Sequence, residues 1–428
     1  MILVVGTIFL IGLVVGVPIA FAMGLAGSTW IMFFDGLDPS VVIRRMYGIM
    51  SSFPLLAIPL FSMIGILAER CGLLPELVKL LQMLLGRLKG GMAYINVANS
   101  LMMGGVSGTA VSDVASLGRV EIQMMKRAGY PAAYAAALTA STAVISPIIP
   151  PSVAFIIYGL AAGGVSIGGL FMAGVIPGIL MGLGLWVMAW FKSRKAGFGT
   201  LVDRPKVSVL VRQAMRVVPF MLLPVIIVGG IIGGVFTVTE SAAVGVLYVV
   251  LVGFFLTRTL KMKDIFDAVV YSAIISSVVG MLMGAGAIVS WIITRNQVTQ
   301  QLTDLMVMIT ADPTMFMFLV AGTLLVLGTI MDATALIIMF APLVVPIARQ
   351  YGVPDIQFGV VFVMSCMIGM VTPPTGILLF MTSAFAKVPI EQVFKAILPF
   401  VVAAIALISL LILFPPLTLY VPSVLGLG

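Results

Sequence analysis

The feature that most constrains this chain is how little of it can face water. Apolar runs occupy residues 1–33, 53–68, 91–118, 132–191, 217–257, 266–294, 315–348, 358–386 and 396–428. Charged residues make up 9% of 428 positions and mean hydropathy is +1.25, whereas a soluble domain carries about 25% charge. A helix needs about 20 apolar residues to cross a bilayer core, and several of these runs are long enough for two crossings. The expectation is an all-α polytopic membrane protein with about eleven crossings (a range of about ten to twelve), plus re-entrant pieces. A β-barrel is disfavoured because barrel strands alternate apolar and polar residues, and these runs do not.

The remaining polar residues set further limits. The chain opens straight into the apolar run from Met1 to Phe34, with no basic n-region, so no cleaved signal peptide is expected. The absence of histidine excludes His-based metal sites and Ser–His triads. Cys71 and Cys366 form no disulfide framework and no metal-ligand spacing. Net charge is +8, but Lys192, Arg194, Lys195, Arg204, Lys206, Arg212 and Arg216 share one short stretch, with only Asp203 opposing them. Arg258, Lys261 and Lys263 form a second cluster two spans later. Short basic loops are retained in the cytoplasm, so both clusters read as topology signals and nucleic acid is not an expected partner. With no G-x-x-x-x-G-K-[ST] loop, ATP hydrolysis is not expected either.

A shift of 223 residues superposes Gly105 on Gly328, Lys126 on Arg349, Gly129 on Gly352 and Pro131 on Pro354. The same shift, without a gap, carries Pro150-Pro151 onto Pro373-Pro374 and Ser152 onto Thr375. The chain therefore reads as two related membrane halves, 1–191 and 217–428, joined by a basic cytoplasmic linker at 192–216. Adjacent prolines remove backbone donors and clash with the preceding turn, so each pair breaks a helix, near 146–152 and near 371–376. Freed carbonyls inside a membrane must be satisfied by protein or by a polar cavity. Broken helices at matching positions in two halves point to a transporter site, although Pro and Gly also kink ordinary packed helices. Pro415-Pro416 has no counterpart and is read as structural.

Upstream of each break lies a Gly-rich stretch holding hydroxyls and one carboxylate: GGVSGTAVSDVASLG at 104–118 and GTIMDATALIIMFAP at 328–342. Hairpin tips are expected near 104–113 and 328–334, each facing its broken helix. Ser107, Thr109, Ser112, Thr329 and Thr334 offer oxygen ligands of the kind hard cations take, and Na⁺ suits neutral ones. Small residues packing two helices closely would leave the same pattern.

Ionisable residues within spans are functional candidates by default. Asp332 is the strongest, as a direct cation ligand or as a group orienting its tip. Asp113 is weaker because Arg119 and Glu121 follow closely. Glu240 reads as a helix cap, Glu69 as a span end and the 30 methionines as packing filler. Arg295 either grips a carboxylate or snorkels to the headgroups.

GGVSGTAVSD, SPIIPPS, VFTVTESAAV, GTIMDATA and TPPTG together carry a family resemblance over essentially the full length. The chain resembles the large membrane subunit of tripartite ATP-independent periplasmic (TRAP) transporters, within the ion-transporter superfamily. The resemblance implies inverted repeats with two re-entrant hairpins and two broken helices, arranged as an elevator-type scaffold and transport domain. It implies no cofactor, Na⁺ as coupling ion, and import of an organic acid delivered by a periplasmic substrate-binding protein. It also implies a small four-helix membrane partner, expected as a separate chain, and a bacterial inner-membrane location. Carried over residue by residue, a first Na⁺ site comprises Ser107, Thr109, Ser146, Pro150 and Ser152. A second comprises Gly328, Asp332, Thr334, Thr372 and Thr375. Substrate lies between them, near Ser107 and Asp332, with Arg295 a candidate for its carboxylate. Sialic acid is favoured over C4-dicarboxylates. The alternatives are a stand-alone Na⁺- or H⁺-coupled dicarboxylate or citrate carrier, a channel, and, more distantly, an intramembrane enzyme.

Overall fold

The computed structural model describes residues 2–196 and 206–427, and no strand occurs among them. The first half comprises α1 (Ile2–Val14), α2 (Ile19–Thr29), α3 (Ser40–Met50), α4 (Ala57–Arg70), α5 (Leu73–Leu85), α6 (Gly91–Ser107), α7 (Ala110–Asp113), α8 (Arg119–Arg127), α9 (Ala132–Ala143), α10 (Val153–Ala161) and α11 (Ile167–Ala196). The second comprises α12 (Val207–Ile232), α13 (Val238–Leu251), α14 (Met262–Arg295), α15 (Val298–Ile309), α16 (Pro313–Gly328), α17 (Ala333–Gln350), α18 (Asp355–Gly369), α19 (Ile377–Ala386), α20 (Ile390–Leu413) and α21 (Pro416–Val424). Of the basic stretch 192–216, positions 197–205, including Arg204, lie outside the described residues; the rest is the end of α11 and the start of α12.

Among the described residues seven helices are long and apolar enough to cross a membrane, or up to eight if the bent pair α15–α16 counts as one span. The remaining apolar sequence is divided among shorter helices, including Asp355–Gly369 and Ile377–Ala386. Prolines and glycines cause this division, so any further crossings have to be assembled from broken pieces.

The Gly-x-Pro entries fold alike. Gly129 (φ 87°) and Gly352 (φ 71°) take the left-handed conformation that ends the preceding helix. Tyr130 N–H then reaches back to the Met125 carbonyl at 3.1 Å, and Val353 N–H to the Ala348 carbonyl at 3.0 Å. Pro131 and Pro354 occupy the N-cap positions of α9 and α18. Each entry therefore stops one helix and starts the next within a few residues.

Packing alternates between the halves. Helix α6 packs on α9, and α16 packs on α18, so each tip's first arm lies along the helix leading into its own break. The exit helices cross over: α10 packs on α17, and α19 packs on α8 and α9. Both breaks and both tips are thereby drawn into one buried core.

Candidate functional site

At the first tip, α6 ends on Ser107 and Gly108 turns the chain at φ 62°. A Cβ on Gly108 would lie 2.7 Å from the Pro151 carbonyl oxygen, so only glycine lets the tip seat against the break. Val153 N–H donates to the Gly108 carbonyl at 3.4 Å. Thr109 is extended and caps α7, its Oγ1 accepting from Ser112 N–H at 3.4 Å. Ser152 caps α10 by accepting from Phe155 N–H at 3.2 Å, and its hydroxyl donates to the Pro147 carbonyl. The Ser107 hydroxyl is buried and has no hydrogen-bond partner.

At the second tip, α16 ends on Gly328, whose backbone meets that of Gly369; a Cβ at residue 328 would sit 2.9 Å from the Gly369 Cα. Asp332 is the N-cap of α17, its Oδ2 accepting from Thr334 N–H at 2.8 Å. Asp332 thereby caps the helix that follows the second tip. Thr375 Oγ1 donates to the Thr329 carbonyl, tying break to tip, and Thr372 Oγ1 donates to the Ile368 carbonyl at 2.8 Å. The Pro150-Pro151 and Pro373-Pro374 bonds are both cis.

The two tips meet. A cavity of about 60 Å³ is lined by Gly108 and Thr109 from one and by Asp332 and Thr334 from the other. Pro147, Val153 and Ile157 close one side, and Met367 and Met370 the other. Thr109 and Asp332, both helix-capping side chains, are 223 positions apart, the same offset that superposes the two Pro-Pro pairs. Ser107, Ser146, Pro150 and Ser152 lie behind the first tip and do not line this cavity; Gly328, Thr372 and Thr375 stand similarly behind the second. Among the described residues no three His, Cys, Asp or Glu side chains cluster, so a cation here would meet hydroxyl and carbonyl oxygens and at most one carboxylate. That donor set fits a weakly held hard ion.

Arg295 ends α14 away from this cavity. Its Nε is 3.5 Å from Asp35 Oδ2, its side chain is 48% exposed, and its guanidinium lies 5.4 Å from the Trp291 ring centre. Glu240 completes a capping box with Thr237, accepting from its N–H at 2.8 Å.

Two polar groupings were not anticipated. Behind the first tip, Asp113 Oδ2 accepts from Ser146 Oγ at 2.8 Å, and Glu121 Oε1 accepts from Asn99 Nδ2 at 2.7 Å. Asn96 Nδ2 donates to Thr139 Oγ1 at 2.7 Å, and Thr142 Oγ1 donates to Asn96 Oδ1 at 2.6 Å. Asp113 and Glu121 are only 3% and 4% exposed. The second grouping is Arg44 and Arg45 on α3, at a cavity of about 470 Å³. The adjacent-arginine pair on a short amphipathic segment was the signal available for it.

Residues 6–417 match the family described as the tripartite ATP-independent periplasmic transporter, DctM component. The chain is 33% identical over 416 residues to the sialic acid TRAP transporter large permease protein SiaM of Vibrio cholerae, covering 96% of each. It is 35% identical to the isethionate TRAP transporter permease protein DctMQ of Oleidesulfovibrio alaskensis, covering 97% of this chain and 64% of that protein. The fold is similar to the crystal structure of the Alcanivorax borkumensis YdaH transporter, with TM-score 0.66, 16% identity and 90% of each chain covered.

Proposed function

The chain belongs to the DctM-component family of tripartite ATP-independent periplasmic transporters, and from that premise we propose that it is the Na⁺-driven, substrate-carrying subunit of an organic-anion importer. It is a multi-pass membrane transport protein and not an enzyme. The observation that carries the finer reading is the meeting of the two tips at one cavity, with Thr109 and Asp332, 223 positions apart, both lining it. Na⁺ binds at each tip, through Ser107, Thr109 and the carbonyls of 146–152 at the first, and through Asp332, Thr334 and the carbonyls of 372–375 at the second. The unpartnered, buried Ser107 hydroxyl supports this, because a buried polar atom without a partner costs about 1–3 kcal/mol unless something satisfies it.

Ion binding fixes the tips, completes the substrate site between them, and lets the two tips and breaks move as one body past a scaffold. The halves act as inverted repeats in this elevator movement. Each entering Na⁺ contributes about 2.3 kcal/mol per 100 mV, plus its concentration term. The basic ends of α11 and α12 face the cytoplasm of an inner membrane. A soluble periplasmic protein delivers the anion, and a small membrane subunit packs beside the scaffold. Sialic acid is the first substrate to test.

Reconstitution with the small subunit and binding protein tests this reading. An inward Na⁺ gradient is expected to drive sialic acid uptake that K⁺ does not support. Equal uptake without Na⁺ overturns the coupling. Uptake without any binding protein overturns tripartite delivery and favours a stand-alone carboxylate carrier.

A further inference from the structure

The tip cavity, at about 60 Å³, has room for an ion or a water molecule, and no cationic side chain lines it. The larger cavity, about 470 Å³, is within the roughly 300–1,000 Å³ typical of small-molecule sites. It lies between α3, α14, the end of α10 and the middle of α17, and two guanidinium groups line it, those of Arg44 and Arg45. Among the described residues neither forms an ion pair, whereas Arg295 faces Asp35 and Arg349 is held by both carboxylate oxygens of Asp355. Arg45 lies over the Trp291 ring, 5.3 Å from its centre, which fixes the guanidinium at the cavity wall and leaves its edge N–H groups free.

Among the described residues no carboxylate lies within ion-pair distance of either guanidinium. Asp38 takes hydrogen bonds from the side chain and backbone of Ser40, which hold its carboxyl below the usual range, and the Arg44 charge is the smallest contribution. Arg44 itself donates to Ser40 Oγ at 2.5 Å, which occupies one of the five N–H groups a guanidinium offers.

The two cavities share walls. Ile157 and Thr334 line the small one, and Leu160 and Ile338 line the large one, about one helical turn further along α10 and α17. They are neighbours along these two helices. The side of the membrane follows from α14, which has 34 residues and so spans about 51 Å, more than the roughly 30 Å hydrocarbon core. Its Lys261 end belongs to the basic cluster expected in the cytoplasm, and its Trp291 end therefore lies at the opposite face.

We infer that Arg44 and Arg45, the latter braced on Trp291, form an externally facing vestibule that takes the carboxylate of a small organic acid before it reaches the tip cavity. The inference rests on the transporter reading above. It moves the grip on the carboxylate to α3, because Arg295 is tied to Asp35 and lines neither cavity. Ser290 and Thr294 on α14 supply hydroxyls at the same wall for the uncharged part of the acid.

The test uses the complete reconstituted transporter. Removing a bidentate charge-assisted contact is expected to raise the KM for delivered anion at least about tenfold in the Arg44→Gln/Arg45→Gln double variant. The Na⁺ concentration for half-maximal uptake should be unchanged, and exposed Arg87→Gln serves as the control. Wild-type protein that takes up nothing defeats the transporter reading. Wild-type uptake with an unchanged KM in the double variant defeats the vestibule alone. Independently of variant folding, phenylglyoxal labelling of Arg44 and Arg45 in the wild-type protein should be slowed by sialic acid or succinate and not by glycerol. Equal labelling with and without both acids also overturns the vestibule.

Discussion

The two tips have matching backbones and opposite surroundings. Behind the first stand Asn96, Asn99, Asp113, Glu121, Thr139 and Ser146, buried and largely bonded to one another. At the same offset the second half has Leu319, Gly322, Leu336, Val344, Phe362 and Gly369; of the network residues only Thr142 keeps a polar equivalent, Ser365. The second tip carries its carboxylate, Asp332, on the turn itself, where the first has the neutral Thr109. A buried polar network fixes one arrangement because each member loses its partner if the others move, whereas apolar packing tolerates sliding and small volume changes. The first tip is thus held from behind by a network of hydrogen bonds, and the second by close backbone contact, the Asp332 cap and the single Thr375–Thr329 hydrogen bond.

Exchanging residues between the halves should break this comparison most visibly. Leu336 is fully buried, so Leu336→Asp places a charge in a buried site that holds an apolar side chain, a cost of about 3–5 kcal/mol or more. Little monodisperse protein is expected by size exclusion. The reciprocal Asp113→Leu leaves Ser146 Oγ with a second acceptor, the Ser100 carbonyl at 3.4 Å, so a loss of about 1–2 kcal/mol is expected. Equal thermal stability of the two variants would contradict the asymmetry.

The next effect concerns close approach. Gly328→Ala drives a methyl into backbone, 2.9 Å from the Gly369 Cα and 3.1 Å from the Cys366 carbonyl oxygen, and should cost about 1–3 kcal/mol. Gly322→Ala has nothing within 4 Å and should leave the melting temperature unchanged or slightly raised. A drop of similar size in both would mean that the Gly328–Gly369 contact does not hold the second tip.

These elements were not equally legible. The helix ends beside Gly108 and Pro150-Pro151 follow from local geometry, because proline and glycine restrict the backbone wherever they stand. The polar network does not, because it depends on which faces of α6, α8 and α9 meet; Asn99 and Glu121 are 22 positions apart. Arg44 and Arg45 were hidden for a similar reason: α3 has no buried residue, so it reads as a connecting segment until α14 is placed beside it. Nor could the span count be settled by hydropathy, since a break divides an apolar run without changing its composition.

At the cavity the expected effects are on transport. Charge-assisted hydrogen bonds are roughly twice as strong as neutral ones, so Asp332→Ala should lower Na⁺-driven uptake about tenfold and Thr109→Ala about threefold. Initial rates at saturating delivered anion would measure this. Equal losses would mean that the caps contribute alike and that the ionic character of the second tip is unimportant.

The smallest expected effect isolates what is special about a cap at a tip. Thr237, like Asp332, caps a helix by accepting a backbone N–H, here from Glu240 at 3.3 Å, yet its capping box is exposed and lines neither cavity. Thr237→Ala should therefore cost about 1 kcal/mol of stability, as helix caps generally do, and leave the Na⁺ dependence of uptake unchanged. If Asp332 only stabilised its helix, Asp332→Ala would behave the same way: a lower melting temperature with an unaltered Na⁺ half-saturation. If it orders the tip for the ion, matched losses of stability in the two variants should accompany different Na⁺ responses. The pair of measurements separates a residue that holds a helix together from one that uses the same hydrogen bond to shape a binding turn.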